Sequence, residues 1–103
     1  MKEKIIIRDI VGLSTKILTG RQTGEKSREQ VSLDKKDMDD KSYEVIIDNN
    51  FKSLNSSYWL GMFGDSVRKL GEEKFREKYC FICKDIFMDT VNRCITHALK
   101  VKR

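Results

Sequence analysis

Residues 43–71, YEVIIDNNFKSLNSSYWLGMFGDSVRKLG, decide the fold. Tyr43, Val45, Ile46 and Ile47 form a short apolar run with β-branched members, which predicts a strand covered on both faces. Asp48, Asn49 and Asn50 stop it. Asn55, Ser56 and Ser57 are all good N-cap residues. Behind them Trp59, Leu60, Phe63, Val67 and Leu70 make the apolar stripe of an amphipathic helix. Such a strand–loop–helix unit presents its loop and helix N-terminus at the carboxyl end of the sheet, where open α/β sheets place their sites.

Upstream, Lys4 to Val11 (KIIIRDIV) predicts a first strand, and its Ile5-Ile6-Ile7 run predicts a central one. Gly12-Leu13-Ser14 turns the chain, and Thr15 to Leu18 predicts a short edge strand returning beside it. A modest helix is expected from Gly24 to Leu33, with Val31 as its apolar anchor. Asp34 to Ser42 (DKKDMDDKS) reads as a charged, nearly structureless connector. Downstream, Glu72 to Lys78 is a short helix or a turn around Phe75, and Tyr79 to Cys83 is a strand. Asp85 is placed as the N-cap of a last helix. That helix has Phe87, Val91, Ile95, Ala98 and Leu99 on one face, with Arg93, His97 and Lys100 towards the other. Strands alternating with helices predict an α/β fold, a small mixed sheet with helices packed on it, as a single domain over residues 1–103.

No stretch approaches the ~20 apolar residues of a membrane span, and the N-terminus lacks a signal-peptide pattern. Three cysteines, an odd number, fit reduced thiols in a cytoplasmic protein better than a disulfide framework. The net charge of +5 is spread among Asp and Glu everywhere except Lys100 to Arg103, so it predicts a solvated surface before a nucleic-acid stripe.

Three motifs carry chemistry weakly. GRQTG (residues 20–24) lacks the Gly-Lys-Ser/Thr ending of a phosphate loop, and the aspartates after Leu33 depart from calcium-loop spacing. Cys80-x2-Cys83-x10-Cys94-x2-His97 has the outline of a Cys3His zinc site. Cys80 and Cys83, however, lie three apart in a strand, where alternation sends them to opposite faces, and no metal is expected. With one histidine and no nucleophile elbow, an enzyme is not expected either, nor any cofactor. Asn55-Ser56-Ser57 is different. Free N–H groups and the dipole at a helix N-terminus favour an anion, so a capping serine there also suits a phosphate.

These residues resemble the STAS-like family of unassigned function, a relative of bacterial anti-sigma-factor antagonists. The resemblance is carried by Asp48 at the strand end, Leu54, Ser56-Ser57, Tyr58 and Phe63-Gly64. Upstream, Gly24-Glu25 and Arg28-Glu29 resemble the segment that opens the family's first helix. The resemblance implies a STAS-type fold and a regulator whose serine, matched here at Ser56, is phosphorylated by a partner kinase. It also implies a histidine-kinase-like ATPase as partner. Two departures stand out: Asn55 replaces an aspartate, and Leu60-Gly61 stand where acidic residues are common.

The sequence therefore leads to a cytoplasmic, non-enzymatic protein-interaction module that switches partners. Ser56 and Ser57 are its phosphoacceptor candidates, and Asn55, Tyr58, Gly61, Met62, Asp65 and Arg68 its docking surface. The rival readings are a basic nucleic-acid-associated accessory protein and, behind it, a small zinc protein. Homo-oligomerisation stays open.

Overall fold

Strand Tyr43–Ile46 is the centre of the molecule. In the computed structural model, which describes residues 3–100, it is flanked on both edges by parallel partners. The elements in order are β1 (Glu3–Ile6), α1 (Ile7–Val11), β2 (Ile17–Leu18), α2 (Arg21–Gln30), α3 (Leu33–Met38) and β3 (Tyr43–Ile46). They continue with β4 (Ser53–Leu54), α4 (Ser56–Leu70), α5 (Glu72–Lys78), β5 (Tyr79–Ile82) and α6 (Asp85–Lys100). A three-stranded sheet has the order β1-β3-β5, and a two-stranded one pairs β2 with β4. Every pairing is parallel, so the class is α/β as expected, with parallel sheets in place of a mixed one. Residues 101–103, most of the basic C-terminal run, lie outside the described residues.

Helix α4 packs on the sheet through aromatic rings. Trp59 meets Phe63 at 5.3 Å between centroids and Phe81 of β5 at 5.8 Å, and Phe63 stands edge-on to Phe81 and Tyr79. Phe75 of α5 closes the cluster against the same rings. Buried aromatics of this size dominate core energetics. The apolar face of α6 is buried as expected at Phe87, Val91, Ile95 and Ala98, while Leu99 stays exposed.

Several sequence expectations change. The first strand ends at Ile6 because its ladder ends there: Ile6 pairs with Ile46, the last residue of β3. With no strand left beside it, the chain from Ile7 satisfies its backbone as α1. β1 is an edge strand and β3 the central one. Residues 15–18 do not return beside β1, since Ile17–Leu18 pairs with β4. The second helix starts at Arg21, after Gly20 at φ 93°, a left-handed conformation that suits glycine. Val31 is its half-buried C-cap rather than its anchor. The charged connector contains α3, and β3 is covered on one face only: Tyr43 and Val45 are buried, while Glu44 and Ile46 reach solvent in part.

The contact between α2 and α4 rests on two glycines. A Cβ on Gly24 would lie 2.1 Å from the Tyr58 carbonyl oxygen, and one on Gly61 would lie 2.2 Å from the Arg21 carbonyl oxygen. The two backbones touch directly.

A buried polar network clamps α3 to this pair. Asp37 accepts from Tyr79 Oη (2.6 Å), Ser66 Oγ (2.8 Å) and Arg28 (3.0 Å). Arg28 also donates to Asp34, Ser66 and the Met62 carbonyl. Trp59 Nε1 apart, every buried side-chain nitrogen and oxygen among the described residues has a hydrogen-bond partner.

A second polar cluster sets the response to pH. Asp39 accepts from Lys78 Nζ (2.6 Å), the Lys41 N–H (2.9 Å) and Tyr43 Oη. Burial opposes its charge, but Lys78 and Tyr43 prevail and hold the carboxyl at about 2, below its ordinary 3.8. Burial and Asp39 push the Tyr43 hydroxyl above its ordinary 10, and burial and Asp37 do the same for Tyr79. Between pH 2 and 4 the unfolded chain binds more protons at Asp39, so this stabilisation is lost as pH falls through that window. Above pH 10 the unfolded tyrosines ionise while the folded ones do not, so stability falls as pH rises. We therefore expect a stability plateau with both limbs in denaturant titrations. Asp39→Ala should lose less stability than the parent between pH 4 and 2; limbs identical to the parent's would contradict these assignments.

Candidate functional site

The N-terminus of α4 is assembled from three segments. β2 and β4 pair in register, Leu18 with Leu54, and the Asn55 N–H donates to the Leu18 carbonyl at 2.7 Å. This fixes Asn55 as the N-cap, with its side-chain oxygen accepting from the Ser57 N–H at 2.9 Å. The Ser57 hydroxyl donates to the same oxygen (2.7 Å) and accepts from the Gly20 N–H at the start of α2 (3.2 Å). Ser57 is therefore a structural link between two helix starts. Asn55→Ala should cost about 1 kcal/mol, because the cap and the anchor of Ser57 go together. A thermal melt checks it, and a change below about 0.3 kcal/mol would deny the cap its role.

Ser56, one residue earlier, is exposed. No hydrogen bond holds its hydroxyl among the described residues. It stands at the rim of a groove of about 330 Å³ between α4 and α6, lined also by Leu60, Arg93, Cys94 and His97. Arg93 and His97 are exposed, as their place on the outer face of α6 predicts. Among the described residues the Arg93 guanidinium makes only long contacts, 3.4 Å to the Asp89 carbonyl and 3.5 Å to Thr90 Oγ1, so it can turn to a new acceptor. Spacing alone could not have joined Arg93 and His97 to Ser56, because they come from another helix.

The expected docking strip is only partly available. Asn55 and Asp65 are exposed and Arg68 is half-buried, the last two joined by an ion pair at 2.6 Å. Tyr58, Gly61 and Met62 are buried and cannot meet a partner. Tyr58 Oη donates to Ser27 Oγ of α2 (2.9 Å), Gly61 lies against the Arg21 backbone, and Met62 is fully covered. The reason is α2, which packs on that face of α4.

The carboxyl end of the main sheet carries a second, wider groove of about 600 Å³, lined by Ile46–Asn49 and Ile82–Asp85. Asp48 there is held by Arg8 through two hydrogen bonds, 3.0 and 3.1 Å, and this pairing keeps its carboxyl below the usual range. Arg8 also lies 3.8 Å over the Phe51 ring and donates to the carbonyls of Gly12 and Thr15. Asp48 and Arg8 thus tie α1 to the loop after β3.

The cysteines are separate. Cys80 lies on the exposed face of β5, Cys83 beside the wide groove, and Cys94 is buried with its thiol facing the Ser56 carbonyl at 4.0 Å. Burial pushes the Cys83 and Cys94 thiols up, away from the thiolate form. Among the described residues no group of three or more His, Cys, Asp or Glu side chains is gathered for a metal ion. Nor is any described helix long and apolar enough to cross a membrane.

Compared with protein-family models, curated proteins and solved structures, the chain finds no match.

Proposed function

We propose that this chain is a cytoplasmic, non-enzymatic protein-interaction module that switches partners through phosphorylation of Ser56. The observation that carries the reading is the division of labour between neighbouring hydroxyls. Ser57 is committed to Asn55 and Gly20, whereas Ser56 is exposed at the first turn of a fifteen-residue helix, with Arg93 and His97 on the same groove. A phosphate on Ser56 would meet the helix dipole and the loosely held Arg93 guanidinium, both of which favour the dianion. Docking falls on Asn55, Ser56 and the Arg93–His97 rim, with Asp65 and Arg68 as outlying contacts. The buried residues Tyr58, Gly61 and Met62 take no part. The resemblance to anti-sigma-factor antagonists supplies the partner class, a histidine-kinase-like ATPase.

Phosphopeptide mapping of the protein recovered from its own cells tests the acceptor. Phosphate on Ser56 and none on Ser57 is expected, because modifying Ser57 would break the cap. Phosphate confined to Ser57, or found on neither, would overturn the assignment.

A further inference from the structure

An all-parallel sheet is normally covered on both faces, because the crossover helices of βαβ units pack on either side. The β1-β3-β5 sheet here is covered on one. Ile5, Tyr43, Val45 and Tyr79 are buried on the helix side. The alternate residues form the other face in two cross-strand rows: Lys4, Glu44 and Cys80 are in register, and next to them Ile6, Ile46 and Ile82. Ile6 is 37% exposed and Ile82 45%, and Ile46 between them is only partly buried. A row of three isoleucines facing water on the only open side of a sheet is a surface built for contact.

We propose that this face is a self-association surface, on which a second copy of the chain packs sheet to sheet. The charges select that occupant. Lys4 and Glu44 are cross-strand neighbours of opposite sign, and neither has an ion-pair partner among the described residues. Consider a two-fold axis running along the strands, between β1 and β3. It sets Lys4 against Glu44 of the second copy and Glu44 against its Lys4. The same operation sets Ile6 against Ile46, and the reverse. Both charges and two of the three isoleucines, Ile6 and Ile46, are matched by one symmetry operator, which is what an isologous interface requires, while Ile82 on β5 lies at the edge of the contact. A different protein would have to supply its own matching pattern; a second copy has it already. Sheets stacked in this way keep their strands within about 30° of each other, which the axis along the strands permits. Three strands of four residues offer a small face, so the association is weak, with Kd on the order of 10–100 μM. It stands whether or not Ser56 is modified.

Sedimentation equilibrium on the full chain, up to about ten times that Kd, tests this. The parent should dimerise reversibly. Lys4→Glu and Glu44→Lys should each weaken the dimer at least about tenfold, and the double reversal should return it to within about threefold of the parent. Both positions reach solvent, so these variants should fold, which thermal melts check. Ile46→Asp should leave a monomer. A parent that stays monomeric throughout would overturn the proposal. So would a dimer indifferent to the single reversals, or one that the double reversal fails to restore.

Discussion

Gly61→Ala is expected to destabilise the protein by about 2 kcal/mol, Gly24→Ala by at least as much, and Gly64→Ala not at all. An added methyl at Gly61 meets the Arg21 carbonyl at 2.2 Å, and one at Gly24 meets the Tyr58 carbonyl at 2.1 Å and the Met62 nitrogen at 2.9 Å. These are backbone atoms, so relief requires one helix to move as a body. Overpacking of that kind costs at the upper end of the usual range, ~3 kcal/mol, and the gain in helix propensity returns about 1. At Gly64 the methyl would meet only the Arg68 guanidinium, at 3.3 Å. That end of a flexible side chain moves cheaply, so the propensity gain should leave Gly64→Ala neutral or more stable by up to ~1 kcal/mol. Denaturant unfolding followed by the fluorescence of Trp59, the one tryptophan, measures all three. Equal effects at Gly61 and Gly64 would show that α2 and α4 do not touch through their backbones.

Arg28→Met carries the second large effect, a loss of about 3–5 kcal/mol. Asp37 has no solvent exposure of its side chain, and among the described residues Arg28 is the only cation within 3.5 Å of it. Without Arg28, two hydroxyls and a Lys69 ammonium 3.8 Å away would have to hold a buried carboxylate. Part of the loss should return in the double variant Arg28→Met, Asp37→Leu. That variant removes both charges instead of stranding one. If Arg28→Met costs less than about 1 kcal/mol, the network does not clamp α3.

These two features mark where the sequence stopped being legible. β3, α4 and α6 follow from apolar spacing, because each buries a side chain type that announces burial. α2 does not, since the residues it buries are Gly24, Ser27 and Arg28. Hydrophobic periodicity is blind to a helix that packs through a glycine, a hydroxyl and a paired guanidinium. α3 is hidden for the same reason: Asp37 belongs in the interior only because Arg28, Ser66 and Tyr79 converge on it from three other elements. Without α2 in view, the face of α4 that it covers reads as free, and Tyr58, Gly61 and Met62 read as docking residues. The start of α4 was legible, since Asn55 of the cap triplet is its N-cap. Local chemistry names a good cap triplet, whereas deciding which serine is tied down and which is spare needs Gly20, 37 residues away.

Ser56→Asp measured beside Ser56→Ala bears most directly on the switch. Binding to the proposed partner, a histidine-kinase-like ATPase, is followed by calorimetry, with thermal melts of all three forms. Asn55 remains the cap in both variants, so Ser56→Ala should bind like the parent and lie within about 0.5 kcal/mol of it in stability. The Ser56→Asp carboxylate sits at a helix N-terminus beside Arg93, so that variant should be at least as stable. It should nevertheless bind the partner at least about tenfold more weakly, a change of ~1.4 kcal/mol. Lost affinity with retained stability is the result a charge-gated docking surface gives. Ser56→Asp binding as tightly as the parent would contradict it.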